Sequence, residues 1–76
     1  MEIALGLTFP NTLKDESVIC HICKKYDIEV VIIEASFSMS SGWAILKVRA
    51  EEKEVEKVLQ YLTNKDIKIE RIQTGN

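Results

Sequence analysis

Cys20-His21-Ile22-Cys23 is the segment whose residue types and spacing come closest to chemistry. Two thiols at i and i+3 stand one helical turn apart. As thiolates they make a redox pair or half of a metal site. A structural zinc ion takes four ligands, and the chain has no third cysteine. His21 is its one histidine. Neighbours on a helix diverge by about 100°, so adjacent Cys20 and His21 do not bring thiol and imidazole together as nucleophile and base. A helix over residues 16–26 puts four or five residues ahead of Cys20, outside the first turn where the dipole activates a thiol. Cys23 then reads as a small core hydrophobe and Cys20 as a half-exposed neighbour. No metal and no cofactor is expected.

The other candidates are weaker. Glu51-Glu52-Lys53-Glu54-Val55-Glu56-Lys57 alternates in charge and reads as a solvated helix face with pairs such as Glu54–Lys57. Paired-carboxylate catalysis needs burial to split two pKa values, and nothing in this run supplies it. Gly6, Gly42 and Gly75 are isolated, so no glycine-rich phosphate cradle is formed. Lys47 and Arg49 flank Trp43 as a small basic spot. Ten basic against twelve acidic residues, net charge -2, argue against nucleic acid, which is held through clustered Lys and Arg. The expectation is a chain that is not an enzyme.

The elements that position these residues follow from periodicity. Ile3, Leu5, Leu7 and Phe9 alternate along a strand over residues 2–9, and Pro10 ends its ladder. Val18, Ile19, Ile22, Cys23 and Tyr26 form the stripe of a helix over 16–26, with Asp15 as its N-cap. Residues 28–38 and 43–50 form a hairpin around Met39-Ser40-Ser41-Gly42, where Gly42 supplies φ > 0. Pairing Ser38 with Trp43 sets Phe37 against Ala44, Ala35 against Leu46, Ile33 against Val48 and Val31 against Ala50, all on one face. Glu34 then opposes Lys47 on the other. Val55, Val58, Leu59 and Leu62 line a second helix over 52–64. A last strand covers 67–73, with Ile67 and Ile69 inward.

The order is β-α-β-β-α-β within a single domain, 1–76. The length of 76 residues and a 46% hydrophobic composition allow one modest core. Right-handed crossovers put both helices on one face of an antiparallel sheet. The fold class is α+β, a ferredoxin-like sandwich with strand order 4-1-3-2. Its open face is expected to carry Ala4, Gly6, Thr8, Val30, Ile32, Trp43, Ile45, Lys47 and Arg49. Such an apolar face usually marks a partner or ligand surface, which makes Ile32, Trp43 and Ile45 candidate interface residues. No apolar run reaches the roughly 20 residues that span a bilayer. Met1-Glu2-Ile3 lacks the basic start of a signal peptide. A cytoplasmic protein without membrane insertion is expected.

Six stretches taken together resemble a known family: Leu7-Thr8-Phe9-Pro10, Lys25-Tyr26-Asp27-Ile28, Val31-Ile32-Ile33-Glu34-Ala35, Ser41-Gly42-Trp43, Val55 to Leu62, and Ile67-Lys68-Ile69-Glu70. They are similar, in order and spacing, to the NIL domain. That family is found at the C-terminus of methionine-importer ATPases, fused to ferredoxin modules, and alone. The resemblance implies an ACT-like, ferredoxin-like fold and a dimer that binds methionine at its interface. The Asn-Ile-Leu triplet that names the family falls on Val31, Ile32 and Ile33, so Val31 stands where an asparagine is linked to methionine sensing.

ACT-like domains bind amino acids between the β1–α1 loop of one subunit and strand two of another. The resemblance therefore makes Thr8, Asn11, Thr12, Ile28, Val30 and Val31 the candidate ligand-binding residues. The functional expectation is a non-catalytic regulatory homodimer that senses methionine or a related amino acid and acts in trans on a transporter ATPase. The alternative is an interaction subunit of sulfur amino acid metabolism. It would work with a ferredoxin-type protein, with Cys20 and Cys23 as a thiol or metal site.

Overall fold

The computed structural model describes residues 1–10, 17–38 and 41–72. Its elements are β1 (Glu2–Phe9), α1 (Val18–Lys25), β2 (Glu29–Phe37), β3 (Gly42–Arg49), α2 (Glu52–Asn64) and β4 (Lys68–Ile72). The four strands form one antiparallel sheet in the order β2-β3-β1-β4. Read from the other edge this is the expected 4-1-3-2.

The core lies between one sheet face and the helices. Leu5, Leu7, Ala44, Leu46 and Val48 project from β1 and β3 onto Val18 and Ile22 of α1 and Val58 and Leu62 of α2. The period of two along β3 is plain: Ala44, Leu46 and Val48 are buried, while Trp43, Ile45 and Lys47 face the open side. Burying a Leu or Ile side chain contributes about 1.5–3 kcal/mol, so these few residues dominate the stability of so small a domain.

Both helix ends have physical causes. α1 starts at Val18 with Ser17 as N-cap, whose side chain makes no capping bond. The expected cap, Asp15, lies outside the described residues. Only Val18 and Ile19 therefore precede Cys20 in α1, which places Cys20 inside the first turn and corrects the expectation of four or five. α2 carries Glu52 and Glu54 in its first turn, where the dipole favours negative charge. It ends in a Schellman motif: Ile67 N–H donates to Leu62 O at 3.2 Å and Asp66 N–H to Thr63 O at 3.0 Å. Asp66 holds the left-handed position at φ 61°.

The hairpin differs from its expected register. Val30 pairs with Val48, Val31 with Lys47 and Ile32 with Leu46; Glu34 pairs with Ile45, Ala35 with Ala44, Ser36 with Trp43 and Phe37 with Gly42. The slip between Ile32 and Glu34 is a bulge at Ile33. One extra residue inverts the alternation. Val30 and Ile32 before the bulge, and Ala35 and Phe37 after it, all stand on the helix side. Val31, Glu34 and Ser36 take the open side. A uniform register cannot do this, which is why the expected faces of Val30, Val31, Ile32 and Ile33 are corrected. Glu34 does not oppose Lys47. The cross-strand charge row is instead Glu29–Arg49–Glu2, with Arg49 Nε 2.6 Å from Glu2 and Nη1 3.2 Å from Glu29. Arg49 is thus neutralised rather than part of a basic spot.

Gly42 is not a positive-φ turn residue. It lies within β3, and a Cβ there would come 2.5 Å from Phe37 Cδ1. Its value is the space it leaves. The expected turn residues Met39 and Ser40 lie outside the described residues.

Candidate functional site: an apolar edge and an open-face groove

β2 is an edge strand, bonded to β3 alone. Eight of its nine residues are exposed, because neither helix reaches over its outer half. Val31 is 39% exposed, Ile32 55%, Ile33 50% and Phe37 60%. Such an edge is a template for another strand, and natural proteins blunt it with charge, proline or short length. β4, the other edge, is five residues long and carries Lys68, Glu70 and Arg71. β2 is longer, and its two charges are Glu29, tied to Arg49, and Glu34. The Ile33 bulge and the Glu34 charge beside it are its blunting devices. The Phe37 ring is fixed by Phe9, whose centroid is 5.6 Å away, so the apolar end of the edge is preorganised.

The open face holds a groove of about 420 Å³ over the small side of β1. Gly6 is its floor. Trp43 and Ile45 of β3 form one wall, Ile72 and Glu70 of β4 the other, with Thr8 and Lys68 at one end. Alternation along β4 puts Lys68, Glu70 and Ile72 on one face. A cationic and an anionic group thus flank an apolar trough.

The helix layer carries a third feature. His21 stacks on Tyr61 of α2, with centroids 5.1 Å apart and planes 19° from parallel. Tyr26 meets the same ring edge-on at 6.2 Å. The Lys25 and Lys65 ammoniums lie 5.9 Å from its centroid, the range of cation–π attraction. Beside this cluster a cleft of about 430 Å³ is lined by Ser17, Cys20, His21, Lys24, Tyr61 and Lys65. Cys20 and Cys23 are free and exposed. Desolvation, and then the charge of Cys20, push the Cys23 thiol up. Among the described residues no three or more His, Cys, Asp or Glu gather as a metal site.

The expected ligand residues are not brought together. Thr8 is exposed on the open face opposite Trp43 and Lys68. Ile28 and Val30 are half-buried and pack against the helix-side core. Val31 lies on the open face beside Lys47, not in the core. Asn11 and Thr12 lie outside the described residues. Of the expected interface residues, Trp43 and Ile45 share the groove, while Ile32 sits on the helix side of the exposed edge. Sequence reasoning missed Lys68, Glu70 and Ile72 as groove residues. The signal lies in the sequence, since three alternate residues of β4 share the face opposite inward Ile69.

The family model for the NIL domain matches residues 4–71. The C-terminal domain of an ABC transporter ATP-binding protein from Enterococcus faecalis superposes with a TM-score of 0.78 at 21% identity, over 96% of this chain and 86% of that one. The designed protein Foldit4 superposes at 0.67 with 16% identity, over 99% and 96%, and the designed Ferredog-Diesel at 0.54 with 11% identity, over 96% and 85%. At these identities the likeness is one of fold. No curated protein matches the chain.

Proposed function

This chain belongs to the NIL domain family, and from that membership we propose a non-catalytic regulatory module that works as a homodimer joined along β2. The observation that carries the reading is the exposed apolar edge from Val31 to Phe37. Antiparallel pairing of two such edges satisfies their open backbone groups and removes the isoleucines from water. β4, short and charged, is the poorer edge for the same purpose.

The ligand is a small apolar amino acid such as methionine, and the groove over Gly6 is its seat. Lys68 takes the carboxylate, Glu70 the ammonium, and Trp43, Ile45 and Ile72 the side chain. Val31 offers no polar group at the position where the family's asparagine would stand, which favours the groove over strand β2 as the ligand site. The partner is a transporter ATPase. The Enterococcus domain is the C-terminal part of such a protein.

The test is thermal unfolding of the reduced protein against the twenty amino acids. A ligand at about 100 times its dissociation constant adds roughly 2.7 kcal/mol, a shift of several degrees at this size. Methionine or a close relative is expected to give it. A flat response to every amino acid would remove the ligand from the proposal.

A further inference from the structure

We propose that Cys20 and Cys23 form a two-thiolate clamp for a soft monovalent metal ion of the copper(I) class. The inference is independent of the dimer and of the amino acid ligand. Both thiols are free, exposed and on one helix at i and i+3. Residues so spaced have Cβ atoms about 5–6 Å apart. A disulfide needs them about 3.5–4.5 Å apart, so the regular helix spacing suits a bridging ion better than a direct S–S bond. Two metal–thiolate bonds of about 2.3 Å, the zinc–thiolate length, bridge the wider gap.

The surroundings select the ion. Both side chains leave α1 within one turn, so two deprotonated sulfurs there repel and a cation between them relieves that repulsion. His21, the nearest alternative donor, is held against Tyr61. Among the described residues no third His, Cys, Asp or Glu joins the pair. Zinc, magnesium and calcium want four or more donors and find two. A thiophilic ion content with two thiolates remains. Cys20 stands in the first turn of α1, where the dipole favours negative charge, and Lys24 lines the same cleft. On binding, each thiol releases its proton to solvent, two sulfur–metal bonds form, and no electron moves. The product carries one negative charge beside Lys24.

The experiment is an anaerobic titration of the reduced chain with copper(I) held by a chromophoric chelator, read by chelator absorbance and native mass spectrometry. Circular dichroism checks the fold of each variant; both cysteines are exposed, so serine is tolerated. One copper per chain is expected. Cys20→Ser and Cys23→Ser should each weaken binding by at least about two orders of magnitude, more than the loss of an outer-shell partner costs, since each removes one of the ion's two soft donors. Three results would overturn the clamp: a wild-type affinity no better than that of the double variant, single variants that keep wild-type affinity, or one copper per two chains.

Discussion

The ring of Phe37 lies over Gly42, where a Cβ would come within 2.5 Å of Cδ1 and 3.0 Å of Cε1. The same ring touches Phe9 across the sheet. Gly42 thus holds one end of the β2 edge by leaving a space. Gly42→Ala must push the ring away or move the strand. We expect a loss of about 1–3 kcal/mol, as for other overpacked sites, with a melting temperature lower by at least several degrees. Combined with Phe37→Ala the loss should be less than additive, because the clash goes with the ring. Urea unfolding of the three variants checks both statements.

Asp66 ends α2 in the left-handed region at φ 61°. Aspartate tolerates that conformation better than most residues but still at a cost, and glycine at none. The extra freedom of glycine in the unfolded chain cancels part of the gain. Asp66→Gly is expected to stabilise by up to about 1 kcal/mol, and thermal unfolding would show it. A loss of stability would mean that the aspartate side chain contributes more than its backbone costs.

Glu54 ties two parts of the chain. Its Oε2 lies 2.9 Å from Lys57 Nζ and its Oε1 accepts the Asp27 N–H at 3.0 Å. Lys57 first, and the Asp27 N–H second, hold its carboxyl below the usual carboxylate range. A depressed carboxyl contributes stability that is present above its unfolded value and lost as pH falls through its folded one. The wild type should therefore lose part of its stability in the acid range, and Glu54→Gln should lose less over the same interval. Denaturation midpoints at neutral and acid pH separate the two. The effect is small, since exposed ion pairs contribute little.

Gly6 is the floor of the open-face groove, and a Cβ there meets Ile72 Cδ1 at 3.3 Å. That atom is the end of a flexible side chain, so Gly6→Val is expected to fold. Valine fills the trough and should abolish the thermal response to methionine while leaving the oligomeric state unchanged. A retained response would place the amino acid elsewhere.

The strand order, both helices and most of the core were legible because periodicity reports burial. Leu5, Leu7, Leu46 and Val48 alternate, and Val55, Val58 and Leu62 recur at helical spacing. β2 was harder. Every residue from Val30 to Ile33 is apolar, so hydropathy alone cannot say which of them face inward, and one bulge changes the answer. Glu34 misled for a related reason. Opposite charge made Lys47 an attractive partner, yet the register set by Ala35 on Ala44 and Phe37 on Gly42 gives it Ile45. The groove was half legible. Alternation marks Trp43, Ile45 and Thr8 on the open face, whereas the β4 wall follows only when the alternation about inward Ile69 is carried to Lys68, Glu70 and Ile72.

Assembly along β2 is open to measurement. Sedimentation equilibrium of the wild type and of Ile33→Lys tests it directly. Ile33 is 50% exposed and sits at the bulge, so lysine there blunts the edge without entering the core. A dimer is expected for the wild type and a folded monomer for Ile33→Lys. A monomeric wild type at tens of micromolar, or a variant that stays dimeric, would contradict it.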